Sequence, residues 1–187
     1  MVATPMNGAH SKGKPMKIKL ALISAAAIII ASPALAADAP TDPQIAHIAY
    51  TADTLDIEAG KQALAQSKNK AVRGFAEEMV RDHTAVNDKA LALVKKLKVT
   101  PQDNPTSQSL TKAADAERAK LGKLSGAAFD REYINNEVAY HKTVNGALEK
   151  TLIPSAKNGE LKSLLQTGLT LFREHQAHAE KIAKDIK

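Results

Sequence analysis

From Ile45 to Ile186 apolar residues return every third or fourth position in four long stretches, and strand-type alternation appears nowhere. The stripes begin with Ile45, Ile48, Ala52, Leu55, Ala59 and Ala63, and continue with Val72, Phe75, Met79, Val86, Ala90, Val94 and Leu97. Ile134, Val138, Val144 and Leu148 make the third, and Leu161, Leu165, Gly168, Phe172, Ala179, Ile182 and Ile186 the fourth. A helix with one apolar stripe is buried most simply against other such helices. The chain is therefore expected to be all-α. Only 3% of residues are aromatic and Trp is absent, so the core must be mainly aliphatic.

Helix starts and stops divide the stripes. Thr41-Asp42-Pro43 reads as a cap followed by a first-turn proline. The pattern predicts long helices over about 42–67, 70–98, 128–153 and 160 to the end, with a shorter charged helix over 107–124. Pro101 and Pro105 fall in the predicted loop before the short helix, and Pro154 is expected to stop the third long one. Short links make hairpins of the first and last helix pairs, and the middle link is long. That is the order of a ferritin-like four-helix bundle with a long crossover carrying a short extra helix. An internal echo supports two related hairpins: Arg81-Asp82-His83-Thr84-Ala85 matches Arg173-Glu174-His175-Gln176-Ala177 in register.

The N-terminal segment reads differently. Met16-Lys17-Ile18-Lys19 is a short basic run, 20–32 is apolar, Pro33 interrupts it, and Ala34-Leu35-Ala36 is a small-x-small cleavage site. This is the layout of a secretory signal. Its apolar run is shorter than the roughly 18 residues of a spanning helix. The expected division is a leader and cleaved signal over 1–36 and a bundle domain over 37–187, with either Met1 or Met16 as the start. A bacterial periplasm, or the periplasmic side of an outer membrane, is the expected address. No later apolar run is long enough to span a bilayer.

The net charge of +6 is mostly a property of that leader. Four of the 26 basic residues lie in 1–36, which leaves 22 against 20 acidic residues. Nucleic acid is therefore not an expected partner. With no cysteine, a disulfide, a thiolate metal site, a cysteine nucleophile and a lipid anchor on Cys are excluded.

Three histidines lie on or beside the apolar stripes near mid-helix: His83, His141 and His175. Mid-points of similar-length helices share a level in a bundle. Three imidazoles are thus expected in one layer. On the first helix Glu58 borders the inward stripe and is read as the carboxylate that joins them. Asp82, Glu137, Glu174 and His178 are candidate neighbours, with His178 at a stripe edge. One reading is a site for zinc, copper, iron or manganese. The other is a buried polar layer in which the histidines pair with carboxylates or with Tyr133 and Tyr140. In that case His83→Leu should be near neutral. Glu-x-x-His, the di-iron signature, does not occur. His47 is read as a surface or end-of-bundle residue.

The stretch Phe75-Ala76-Glu77-Glu78-Met79-Val80-Arg81-Asp82-His83, Glu58-Ala59, Phe129-Asp130-Arg131-Glu132-Tyr133 leading to His141, and His175 together resemble the bacterial domain of unknown function family 4142. That family is sometimes labelled a predicted outer membrane protein. The resemblance covers nearly all of 42–187. It implies an exported ferritin-like bundle without an established activity, with recurring positions at Glu58, Asp82, His83, His141 and His175. Two function classes stay open: a structural or stress-related periplasmic binding protein, and a metal-binding or metal-dependent redox protein. No complete catalytic set can be named. An envelope protein or a second copy remains open as a partner.

Overall fold

A computed structural model describes residues 39–186. The leader, the signal and the cleavage site after Ala36 lie outside the described residues. Within them, helices are the only regular structure. They are α1 (Asp42–Gln66), α2 (Lys70–Leu97), α3 (Pro105–Leu121), α4 (Gly126–Ala147), a π-helical turn (Leu148–Leu152), α5 (Ile153–Ser155) and α6 (Gly159–Asp185). The chain is all-α, as its periodicity requires. None of the described helices is long and apolar enough to cross a membrane.

At the starts of α2 and α6 an asparagine side chain takes up free backbone N–H groups. Asn69 Oδ1 accepts from Ala71 and Val72, and Asn158 Oδ1 from Glu160 and Leu161. At α1, the Thr41 N–H donates to Gln44 Oε1. The most extensive packing is α1 on α2 and α4 on α6; α2 meets α6, and α1 meets α4. α3 lies against α1 and α4. α1 and α2 approach closely at Gly60, where a Cβ would come within 3.0 Å of Val80 Cγ2 and 3.2 Å of the Ala76 carbonyl oxygen.

Two predicted boundaries need correction. Pro105 lies in α3 rather than in the preceding loop. Asn104 caps that helix through the Thr106 and Ser107 N–H groups, and proline occupies the first turn, where no N–H is needed. Pro154 does not end the third long helix. The Ile153 N–H reaches back five residues to the Leu148 carbonyl, and this wider turn carries the chain through Pro154 to Ser155.

Two apolar clusters fill the interior. One joins Val72, Phe75, Met79, Phe129, Tyr133, Ile134 and Ile182. The other joins Ile45, Ile48, Leu148, Leu152, Leu161, Leu165 and Phe172. The stripe residues of α1 and the front half of α2 are buried, but Val86, Ala90, Val94 and Leu97 are only half-buried.

A candidate metal centre in the helix interior

His83, His141 and His175 each sit one turn from a buried residue on the same helix. His83 follows Met79, His141 follows Glu137, and His175 precedes Ala179. All three are buried to within 2% exposure. Their rings meet as the level argument requires. Centroids are 5.6 Å apart for His83 and His141, 5.3 Å for His83 and His175, and 5.5 Å for His141 and His175. Phe172 stacks on His83 at 4.6 Å.

The carboxylates around them differ from the expected set. Glu58 does not join the layer. It is part-exposed and pairs with Arg118 of α3. Asp53 and Asp56, both buried, take the place assigned to it. Asp53 Oδ1 accepts from His83 Nδ1 at 2.7 Å. Asp56 Oδ2 lies 3.0 Å from His83 Nε2 and 3.4 Å from His141 Nε2. The signal for Asp56 was present in the sequence: it is four residues after Ala52 and three before Ala59, on the inward stripe. Asp53, beside Ala52 and one turn from Asp56, carries the same signal.

Other candidates distribute around the layer. Glu137 is fully enclosed, with Oε2 3.5 Å from His141 Nδ1. Asp82 Oδ2 accepts from His175 Nε2 at 3.1 Å while Asp82 also takes the Arg81 guanidinium. Glu174 is exposed. His178 is outside the layer, with Nδ1 2.6 Å from Glu78 Oε2 and its ring edge-on to Phe75. His47 is half-buried near the start of α1, where its Nδ1 lies 3.9 Å from Asp103.

One pattern recurs at all three histidines. His83 Nδ1 is held by Asp53, His141 Nδ1 donates to the Glu137 carbonyl at 3.1 Å, and His175 Nε2 is held by Asp82. The other nitrogens of His141 and His175 complete no hydrogen bond, whereas His83 Nε2 faces Asp56 Oδ2 at 3.0 Å. The three rings offer ligand nitrogens within 4.8 Å of one another, and so do the ligand atoms of Asp56, Glu137 and His141.

Charge is shared unevenly in this layer. Burial opposes a charge on His83, but the Asp56 charge and the hydrogen bonds to both aspartates outweigh it and lift its pKa to about 10. Burial also opposes ionisation of Asp56, and the His83 charge overcomes it and holds that carboxyl below its ordinary range. Burial, aided by the Asp56 charge, pushes Glu137 up to about 7. Burial takes His175 down to about 4, against the hydrogen bond to Asp82. Without an ion, the layer thus holds a protonated His83 between two aspartates and a neutral His175.

Comparison with known proteins places this architecture. A family described as a domain of unknown function, DUF4142, matches residues 30–182. A solved structure of a DUF305 protein from Streptomyces coelicolor, named as a secreted protein, superposes with a TM-score of 0.63 at 12% identity. The match covers 76% of this chain and 91% of that one, and at this identity it speaks for the fold alone. No curated protein matches the chain by sequence.

Proposed function

The chain belongs to the DUF4142 family, and we propose that it is an exported helical-bundle protein that binds one transition-metal ion through His83, His141, His175 and Asp56. Glu137 stands ready as a further ligand. The observation that carries the reading is the half-held state of the histidines. Each has one nitrogen fixed by a carboxylate or carbonyl; the second completes no hydrogen bond in His141 and His175, and in His83 it faces Asp56, itself a candidate ligand. Metal-ligating histidines have this arrangement, because the outer hydrogen bond sets the tautomer and aims the ring. Leaving so many buried polar atoms unpaired would otherwise be costly.

An imidazole-rich set with a carboxylate suits zinc, copper, iron or manganese. A tetrahedral ion with bonds of about 2.0–2.1 Å needs ligand atoms about 3.4 Å apart. Within each of two triads, His83/His141/His175 and Asp56/Glu137/His141, the ligand atoms lie within 4.8 Å of one another, and His141 is common to both. The basic, apolar and small-residue segments of 16–36 support export with cleavage after Ala36, and the solved neighbour carries a secreted-protein name. The periplasm is the address we assign. The two long hairpins joined through α3 support a ferritin-like topology for 37–187.

The competing reading is an ion network without metal, favoured by the bridging of His83 between Asp53 and Asp56. Metal content of the untagged mature protein, purified from periplasm without chelator, separates the two. Plasma mass spectrometry should find one equivalent of metal in wild type and none in the His83/His141/His175 triple-Ala variant. No metal in wild type, and no thermal shift on adding any of the four ions, would leave the ion network.

A further inference from the structure

Beyond the histidine layer the helix interior is not filled. A cavity of about 640 Å³ opens among α1, α2, α3, α4 and α6. That is within the roughly 300–1,000 Å³ usual for small-molecule sites. Its walls include Ala49, Ala90, Val144 and Leu165, and it is bounded toward the histidines by Asp53 and Phe172. The residues that form it are unusual in two ways. The π-helical turn contributes Leu148, Thr151 and Leu152, and such turns often mark functional sites. On α6, a Cβ at Gly168 would come within 3.3 Å of the Phe172 ring, so glycine leaves room both for the cavity and for the ring that stacks on His83.

The lining also limits the ligand's charge. Among the described residues no Lys or Arg faces the cavity, and the only titratable side chain in its lining is Asp53, which is already bonded to His83. An anionic ligand would have no counter-charge there. A cationic one would have to compete with His83 for Asp53. Exposed Thr106, Thr143 and Thr151 at the rim offer hydroxyls to a small uncharged head.

We propose that this cavity binds a neutral, mainly aliphatic small molecule, of the long-chain alcohol or ester class, beside the histidine layer. The cavity is lined by none of the three histidines, and the proposal is tested with and without metal.

The test uses the whole mature protein, with chelator and separately with zinc. The neutral dye N-phenyl-1-naphthylamine should brighten on binding under both conditions. Dodecan-1-ol should displace it at least tenfold more effectively than dodecanoate at pH 8. Ala90→Phe and Ala147→Phe fill the cavity from opposite helices and should each weaken dye binding tenfold or more while keeping wild-type circular dichroism. Wild type alone supplies a second measure: nuclear Overhauser contacts from dodecanol methylenes to the Val144 and Leu165 methyls. Absent dye binding, a folded filling variant that binds as wild type does, equal displacement by dodecanoate, or dodecanol contacts elsewhere would each overturn the proposal. Failure of the metal reading alone leaves the chelator arm unchanged.

Discussion

His83 shows how a residue's surroundings can reverse the expected effect of changing it. If it were a replaceable polar patch, leucine would be tolerated. With Asp53 at 2.7 Å and Asp56 at 3.0 Å, leucine instead leaves two buried carboxylates without their cation. His83→Leu should therefore destabilise the chelator-treated protein by about 3–5 kcal/mol, the usual cost of breaking a buried pair. Chemical denaturation at pH 7 measures it, and a neutral or stabilising result would sink the ion-network account of the layer. The same bridge sets a pH dependence. The folded pKa of His83, about 10, lies above the ordinary value of 6.5. Its stabilisation is then complete below pH 6.5 and lost as pH rises toward 10. His175, lowered to about 4, contributes above pH 6.5 and loses that contribution as pH falls. Glu137, raised to about 7, contributes most below pH 4.5 and loses it as pH rises through 7. Between pH 4.5 and 6.5 the last two oppose each other, so the clear window is the alkaline one. The melting temperature of chelator-treated wild type should fall from pH 7 to 10, and the same slope in His83→Leu would show that another group causes it.

At the scale of elements, the helices and their inward faces were legible in the sequence because burial imposes a period on it. The three histidines were legible for the same reason: a polar residue on an apolar stripe is conspicuous. The carboxylate on α1 is ambiguous in the sequence because neighbouring positions compete for the stripe. Asp56 lies on its inward side, whereas Glu58 turns out to Arg118, a partner on α3 that periodicity cannot reveal. The π-helical turn was hidden too, since Pro154 reads locally as a stop. The start of α3 was within reach: Asn104-Pro105 is a cap and first-turn pair. Asn104 is buried, accepts from Thr106 and Ser107, and donates to the Gln44 and Gln102 carbonyls. Asn104→Ala should cost about 1–2 kcal/mol in equilibrium denaturation. A change within a few tenths would mean that α3 docks without its cap.

Across the whole molecule the histidine layer divides two unlike halves. On one side Phe75, Met79, Phe129, Tyr133 and Ile134 are completely enclosed. On the other lies the cavity, where Val86, Ala90, Leu93 and Val144 remain half-buried. Fewer enclosed apolar contacts mean cheaper local opening, which amide exchange measures directly. Amides of 143–152, which run into the π-helical turn, should exchange faster than those of 129–138 on the same helix. The histidine layer joins α2, α4 and α6 to the aspartates of α1, so an ion bound there would tie together four of the helices that line the cavity. A ligand that binds only the folded state stabilises it in proportion to RT ln(1 + [L]/Kd), about 2.7 kcal/mol at a hundredfold excess over Kd. Zinc should consequently slow exchange around His83, His141 and His175 by up to about a hundredfold, and should reach 143–152 through His141 and the turns that follow it. A neutral aliphatic ligand should slow 143–152 first and leave 129–138 nearly unchanged. Equal exchange in the two segments of the chelator-treated protein would mean that the open half is held as firmly as the packed one, and that the cavity is a rigid feature of the fold.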